Sequence, residues 1–107
     1  MEIMTPKLHR VMDELGFAES TIGTRYIRRA VEICAEQPRA MITKDVYPQI
    51  AKEFGAAPHN VERAIRVAIT KARRSPSWEW RWGMVTTQEP TNSEVVFRLL
   101  RDCANED

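Results

Sequence analysis

The sequence predicts a single all-α domain, and three observations predict it. Its 107 residues leave room for one core, and 43% hydrophobic with 29% charged residues is ordinary globular composition. Apolar side chains recur three and four residues apart in five stretches, each bounded by helix start or stop residues. Two of those stretches are parted by only a few residues containing a glycine, the spacing of a helix-turn-helix.

The first helix is expected over about residues 6–15. Thr5 suits its N-cap, Pro6 its first turn, and Gly16 its end, with Leu8, Val11, Met12 and Leu15 as the apolar stripe. The second, about 24–37, carries Tyr26, Ile27, Ala30, Val31 and Cys34 inward and stops before Pro38. A short third helix, about 44–54, presents Val46, Tyr47, Ile50, Ala51 and Phe54, with Thr43 as its cap and Gly55 as its stop. Pro48 is tolerated there because it falls near the first turn.

The fourth helix, about 58–73, opens near Pro58. A last one, about 92–104, follows Pro90, where Thr91, Asn92 or Ser93 can cap and Glu94 meets the positive helix end. It turns Val96, Leu99, Leu100 and Cys103 inward. Residues 75–90 read as a linker without helical periodicity, so the whole chain, 1–107, forms one domain with its helix-turn-helix at about 44–74.

No apolar run approaches the roughly 18 residues of a membrane span, and no signal peptide follows Met1, so a cytoplasmic location is expected. Cys34 and Cys103 lie on apolar stripes with no CxxC pair, and His9 and His59 are distant from both, so no metal or disulfide is expected. No phosphate loop, nucleophile elbow or paired catalytic residues occur; neither an enzyme, a cofactor nor a small-molecule substrate is indicated.

The net charge of +1 hides an asymmetry. Arg63, Arg66, Lys71, Arg73 and Arg74 crowd the fourth helix against the single acid Glu62, while the rest of the chain carries a small acidic excess. On a helical wheel Val61, Ala64, Ile65, Ala68 and Ala72 form a dry face; His59, Arg63, Arg66, Thr70, Arg73 and Arg74 occupy about 100° of arc opposite. The small alanines let the helix approach a neighbour closely.

A basic helix of this kind fits the major groove of B-DNA, where an Arg fork matches O6 and N7 of guanine. By position Asn60, Glu62, Arg63 and Arg66 are candidates for base contacts, Glu62 accepting from a cytosine amino group. His59, Thr70, Lys71, Arg73 and Arg74 are candidates for the DNA backbone. The same charges also suit a solvated helix face, and Glu62 with Arg66 also suits an i, i+4 surface pair.

Residues Ile42 to Phe54 (ITKDVYPQIAKEF) and Val61 to Ile69 (VERAIRVAI) resemble the DNA-binding effector domain of the sporulation stage-zero A response-regulator family. Asp13 to Gly16, Ile22 to Arg28 and Pro90 to Glu94 extend the resemblance in order, over about residues 4–104. It implies a winged-helix-like effector domain of about six helices that regulates transcription from a short promoter box. It also implies Glu62, Arg63 and Arg66 on bases, His59 and Asn60 beside them, and tandem copies, hence a possible homodimer on DNA. The family's regulators carry an N-terminal receiver domain for which 107 residues leave no space; a free-standing effector domain is expected here rather than a fragment.

The expected linker is shorter than the family's and contains Trp78, Trp80 and Trp82. At i, i+2 and i+4 they would share one face of an extended strand. They would then serve as a subunit contact, as a platform against DNA, or as a flap over the small core. The alternative to a DNA binder is a protein-interaction or dimerisation adaptor built on the same fold, with these tryptophans as its interface.

Overall fold

The computed structural model describes residues 4–82 and 89–105. Among these residues six α-helices follow one another: α1 Met4–Leu15, α2 Ile22–Glu36, α3 Tyr47–Phe54, α4 Pro58–Arg73, α5 Pro76–Trp82 and α6 Asn92–Asn105. Among the described residues every element is helical, and no β-wing follows α4; α5 takes that place in the chain.

The stop signals act as backbone chemistry requires. Gly16 ends α1 with φ +98° and Gly55 ends α3 with φ +67°, left-handed conformations that cost a residue with a Cβ one or two kcal/mol, roughly. At the last helix Thr91 and Glu94 form a reciprocal capping box: the Glu94 N–H donates to Thr91 Oγ1 at 3.1 Å and the Thr91 N–H to the Glu94 carboxylate at 2.8 Å. That pairing holds the Glu94 carboxyl below its ordinary pKa.

Three local expectations need correction. First, α1 begins at Met4, ahead of the expected cap Thr5. Second, the entry to α3 is a five-residue π-helical turn, Ile42–Val46, in which Thr43 sits inside the turn and caps nothing. Asp45 closes it, its carboxylate accepting from the Met41 N–H at 2.8 Å. Third, residues 76–82 are not a linker but α5, and the strand expected for the tryptophans is absent; residues 83–88 of that linker lie outside the described residues.

Helix periodicity explains the third correction. In α5, Trp78 and Trp82 stand four apart on one face and are buried, while Trp80 points away with 80% of its surface exposed. Trp78 packs on Phe17 (centroids 5.9 Å) and edge-on to Trp82 (4.7 Å). The Trp82 indole N–H donates to Asp102 at 2.7 Å, and the Arg98 guanidinium lies 4.8 Å from its ring centroid. Two of the three tryptophans are thus core under α1 and α6, as the flap reading required, by a different geometry.

The core runs continuously from α1 through α2 to α6, with Leu8, Leu15, Ile27, Val31, Ile50, Ile65 and Leu99 fully buried. Cys34 and Cys103 belong to it, and burial pushes the Cys34 thiol pKa up, away from reactive thiolate. Phe54 was expected inward, but it remains 42% exposed and covers Tyr26 edge-on, with centroids 5.0 Å apart.

Candidate nucleic-acid interface

Helix α4 is built to be held from behind. Pro58 starts it without wasting a helix N–H, and Val61, Ile65, Ala68, Ile69 and Ala72 give it one dry face, which packs mainly on α2 and α3. Ala64 and Ala68 meet Gly23 of α2 so closely that a Cβ on that glycine would sit 2.0 Å from the Ala64 carbonyl oxygen. The short turn Gly55 to Ala57 sets α3 directly behind α4.

Polar ties brace this arrangement. The Arg29 guanidinium of α2 grips the Glu53 carboxylate of α3 through two hydrogen bonds of 2.8 and 2.9 Å. The pair lowers the Glu53 pKa and raises that of Arg29. Arg28 likewise binds Glu19 through two bonds of 2.9 Å and holds its carboxyl below the usual range. Asn92, the first residue of α6, donates to the Tyr47 hydroxyl of α3 and to the Glu62 carbonyl of α4, both at 3.1 Å.

The sequence-predicted residues separate into three groups. His59, Asn60, Arg63, Lys71 and Arg74 are exposed, and among the described residues they take part in no ion pair. Glu62 is half-buried and paired with the exposed Arg66, so these two base-contact candidates engage each other across one helical turn. Thr70 and Arg73, expected on the DNA backbone, are turned to the chain's own Glu89. The Thr70 hydroxyl lies 3.1 Å from the Arg66 carbonyl and also against the Glu89 carboxylate, which is 3.8 Å from Arg73 Nη1. Of the possible interface residues, Trp78 and Trp82 are buried and Trp80 alone is open.

Three participants escaped the sequence reading. Val67 is 45% exposed in the middle of the outward ridge, between Arg63 four residues before it and Lys71 four after. An apolar side chain there can meet a thymine methyl; the wheel contained the signal, since residue 67 falls about 20° beyond the basic arc and outside the dry face. Glu89 and the bridging role of Asn92 depend on where the chain returns after α5, for which local sequence carries no signal. Glu89, Asn92, Tyr47, Glu62 and Arg66 line a groove of about 400 Å³ beside the first turns of α4.

The arrangement presents charge without a reacting constellation. A ridge of guanidinium, ammonium and imidazole groups faces out over the length of α4, with amide and carboxylate groups at its N-terminal end. Such a surface can bind polyanions and read base edges. Residues 8–102 match the family described as sporulation initiation factor Spo0A C terminal. That is nearly the whole chain, and it spans both helices of the motif together with α5 and most of α6. The chain therefore belongs to the Spo0A C-terminal family, the non-catalytic DNA-binding effector domain of a transcription regulator.

Proposed function

We propose that this domain binds double-stranded promoter DNA sequence-specifically, with α4 seated in the major groove. The observation that carries the reading is the exposed ridge of α4, in which Arg63, Lys71 and Arg74 are uncommitted and a short helix stands behind. From Arg63 to Arg74 the ridge runs about 16 Å along the helix axis. The groove is about 12 Å wide, so one end of α4 enters while the other reaches the flanking strand.

Arg63 is the principal base reader, forking onto a guanine. Asn60 and the Glu62–Arg66 pair read neighbouring edges, the pair offering one acceptor and one donor fork. His59, Lys71 and Arg74 meet phosphates, joined by Thr70 and Arg73 when Glu89 releases them. Two copies side by side on tandem boxes would multiply the specificity of so small a module. No helix among the described residues is long and apolar enough to cross a membrane, and we place the domain in the cytoplasm with its DNA.

Selection of bound duplexes from a random pool tests this reading. One box should emerge, and binding to it should weaken steeply with salt as phosphate contacts release counterions. Arg63→Ala should cost about 1–3 kcal/mol and relax one base position, whereas Lys71→Ala should weaken all sequences alike. The adaptor reading draws on the exposed Trp80; a pool that yields no box, with salt-insensitive binding to a protein instead, would favour it.

A further inference from the structure

The first residue of α6 acts at a distance from its own helix. Its side-chain amide has two N–H donors, and each has found an acceptor on a different helix of the motif: the Tyr47 hydroxyl at the start of α3 and the Glu62 carbonyl one turn into α4. Tyr47 is buried, so its hydroxyl is a fixed acceptor, and burial raises its pKa and keeps it neutral. Asn92 is fixed in turn, because the Thr91–Glu94 capping box on either side of it sets where α6 begins.

We infer that Asn92 is the positioning residue for base readout, pinning the angle between α3 and α4 at the turn of α4 that carries Arg63. The inference rests on the reading of α4 as the DNA-reading helix. A fork on guanine requires the Arg63 backbone within about half an ångström of its productive place. Phosphate contacts from long flexible side chains tolerate far more. Releasing the pin therefore damages recognition of the box and leaves general attraction to DNA intact. Asn92 touches no base and supplies no charge; its effect runs through the Glu62 carbonyl.

The test uses the whole chain as wild type, Asn92→Ala, Tyr47→Phe and the double variant. ¹⁵N-edited NMR of each free protein reports on α4, and titrations with the selected box and an unrelated duplex report on binding across a salt series. Asn92→Ala should move the amide resonances of Glu62 to Arg66 and lower box affinity about tenfold, with affinity for the unrelated duplex and the salt slope unchanged. Tyr47→Phe should give a smaller loss of the same kind, and the double variant should lose no more than Asn92→Ala alone. Tyr47→Phe also carries the test if Asn92→Ala is too unstable to study.

Unmoved α4 resonances would overturn the inference whatever the DNA does. Equal losses on both duplexes would also overturn it, since they describe a merely structural residue. A wild-type protein that prefers no sequence would refute the proposed function before any variant is made, and would take the role of Asn92 in recognition with it.

Discussion

Gly23 offers the sharpest test of how α4 is held. It is the second residue of α2, where replacing glycine by alanine ordinarily stabilises a helix by up to about 1 kcal/mol. Here the added Cβ would lie 2.0 Å from the Ala64 carbonyl oxygen, 2.7 Å from its carbon and 2.8 Å from the Ala68 Cβ. Ordinary contact begins near 3.4 Å, so α2 and α4 must part locally by about 1.4 Å. The obstructing atoms are mostly helix backbone, which cannot rotate aside. Overpacking costs typically about 1–3 kcal/mol, and this contact belongs at the upper end. Set against the propensity gain, Gly23→Ala should destabilise by about 2 kcal/mol, which in a domain this small lowers Tm by about 8–16 °C. Urea unfolding with a parallel calorimetric scan measures both. A variant as stable as the wild type, or more so, would show that the two helices do not meet as closely as described.

Other perturbations address the ridge and its braces. Glu89→Gln removes the carboxylate beside Thr70 and Arg73 and should strengthen binding to all duplexes a few-fold, with a salt slope steeper by about one ion in a fluorescence titration. Glu53 and Glu19 have folded pKa values below their unfolded ones. Their stabilisation is complete above the ordinary carboxylate range and is lost as pH falls through the folded values. Glu53→Gln should accordingly flatten the acid limb of a stability–pH profile and cost at most about 1 kcal/mol at neutral pH. Trp80, exposed beside two buried tryptophans, should account for nearly all iodide quenching. Trp80→Phe should abolish that quenching while stability stays within about 0.5 kcal/mol.

Much of this architecture is legible in the sequence because helices announce themselves twice, by period and by their ends. Helix α4 runs Pro58–Arg73 as its apolar spacing and its proline require, and Gly16 and Gly55 stop their helices where only a left-handed residue will serve. The stretch 76–82 defeated the same logic. Seven residues are too few for a period to establish itself, and tryptophans at every second position imitate a strand. The choice is made by tertiary packing, since a helix buries Trp78 against Phe17 and Trp82 against Trp78, and brings the Trp82 indole N–H to Asp102.

At the candidate interface the outward charge is equally legible, being a matter of angles along one helix, and the Glu62–Arg66 pair is four residues apart. What could not be read is the engagement of α4 by distant chain. Glu89 reaches Thr70 and Arg73, and Asn92 reaches Glu62 and Tyr47, across separations of 16 to 45 residues that no local pattern encodes.

The central claim is that guanidinium groups of α4 enter the major groove, and guanine N7 methylation interference on the selected box probes that groove directly. Methylation of at least one guanine should block wild-type binding, and Arg63→Ala should become indifferent to one of those methyl groups while still responding to salt. Binding that ignores N7 methylation throughout the box, or an interference pattern identical in wild type and Arg63→Ala, would contradict the account.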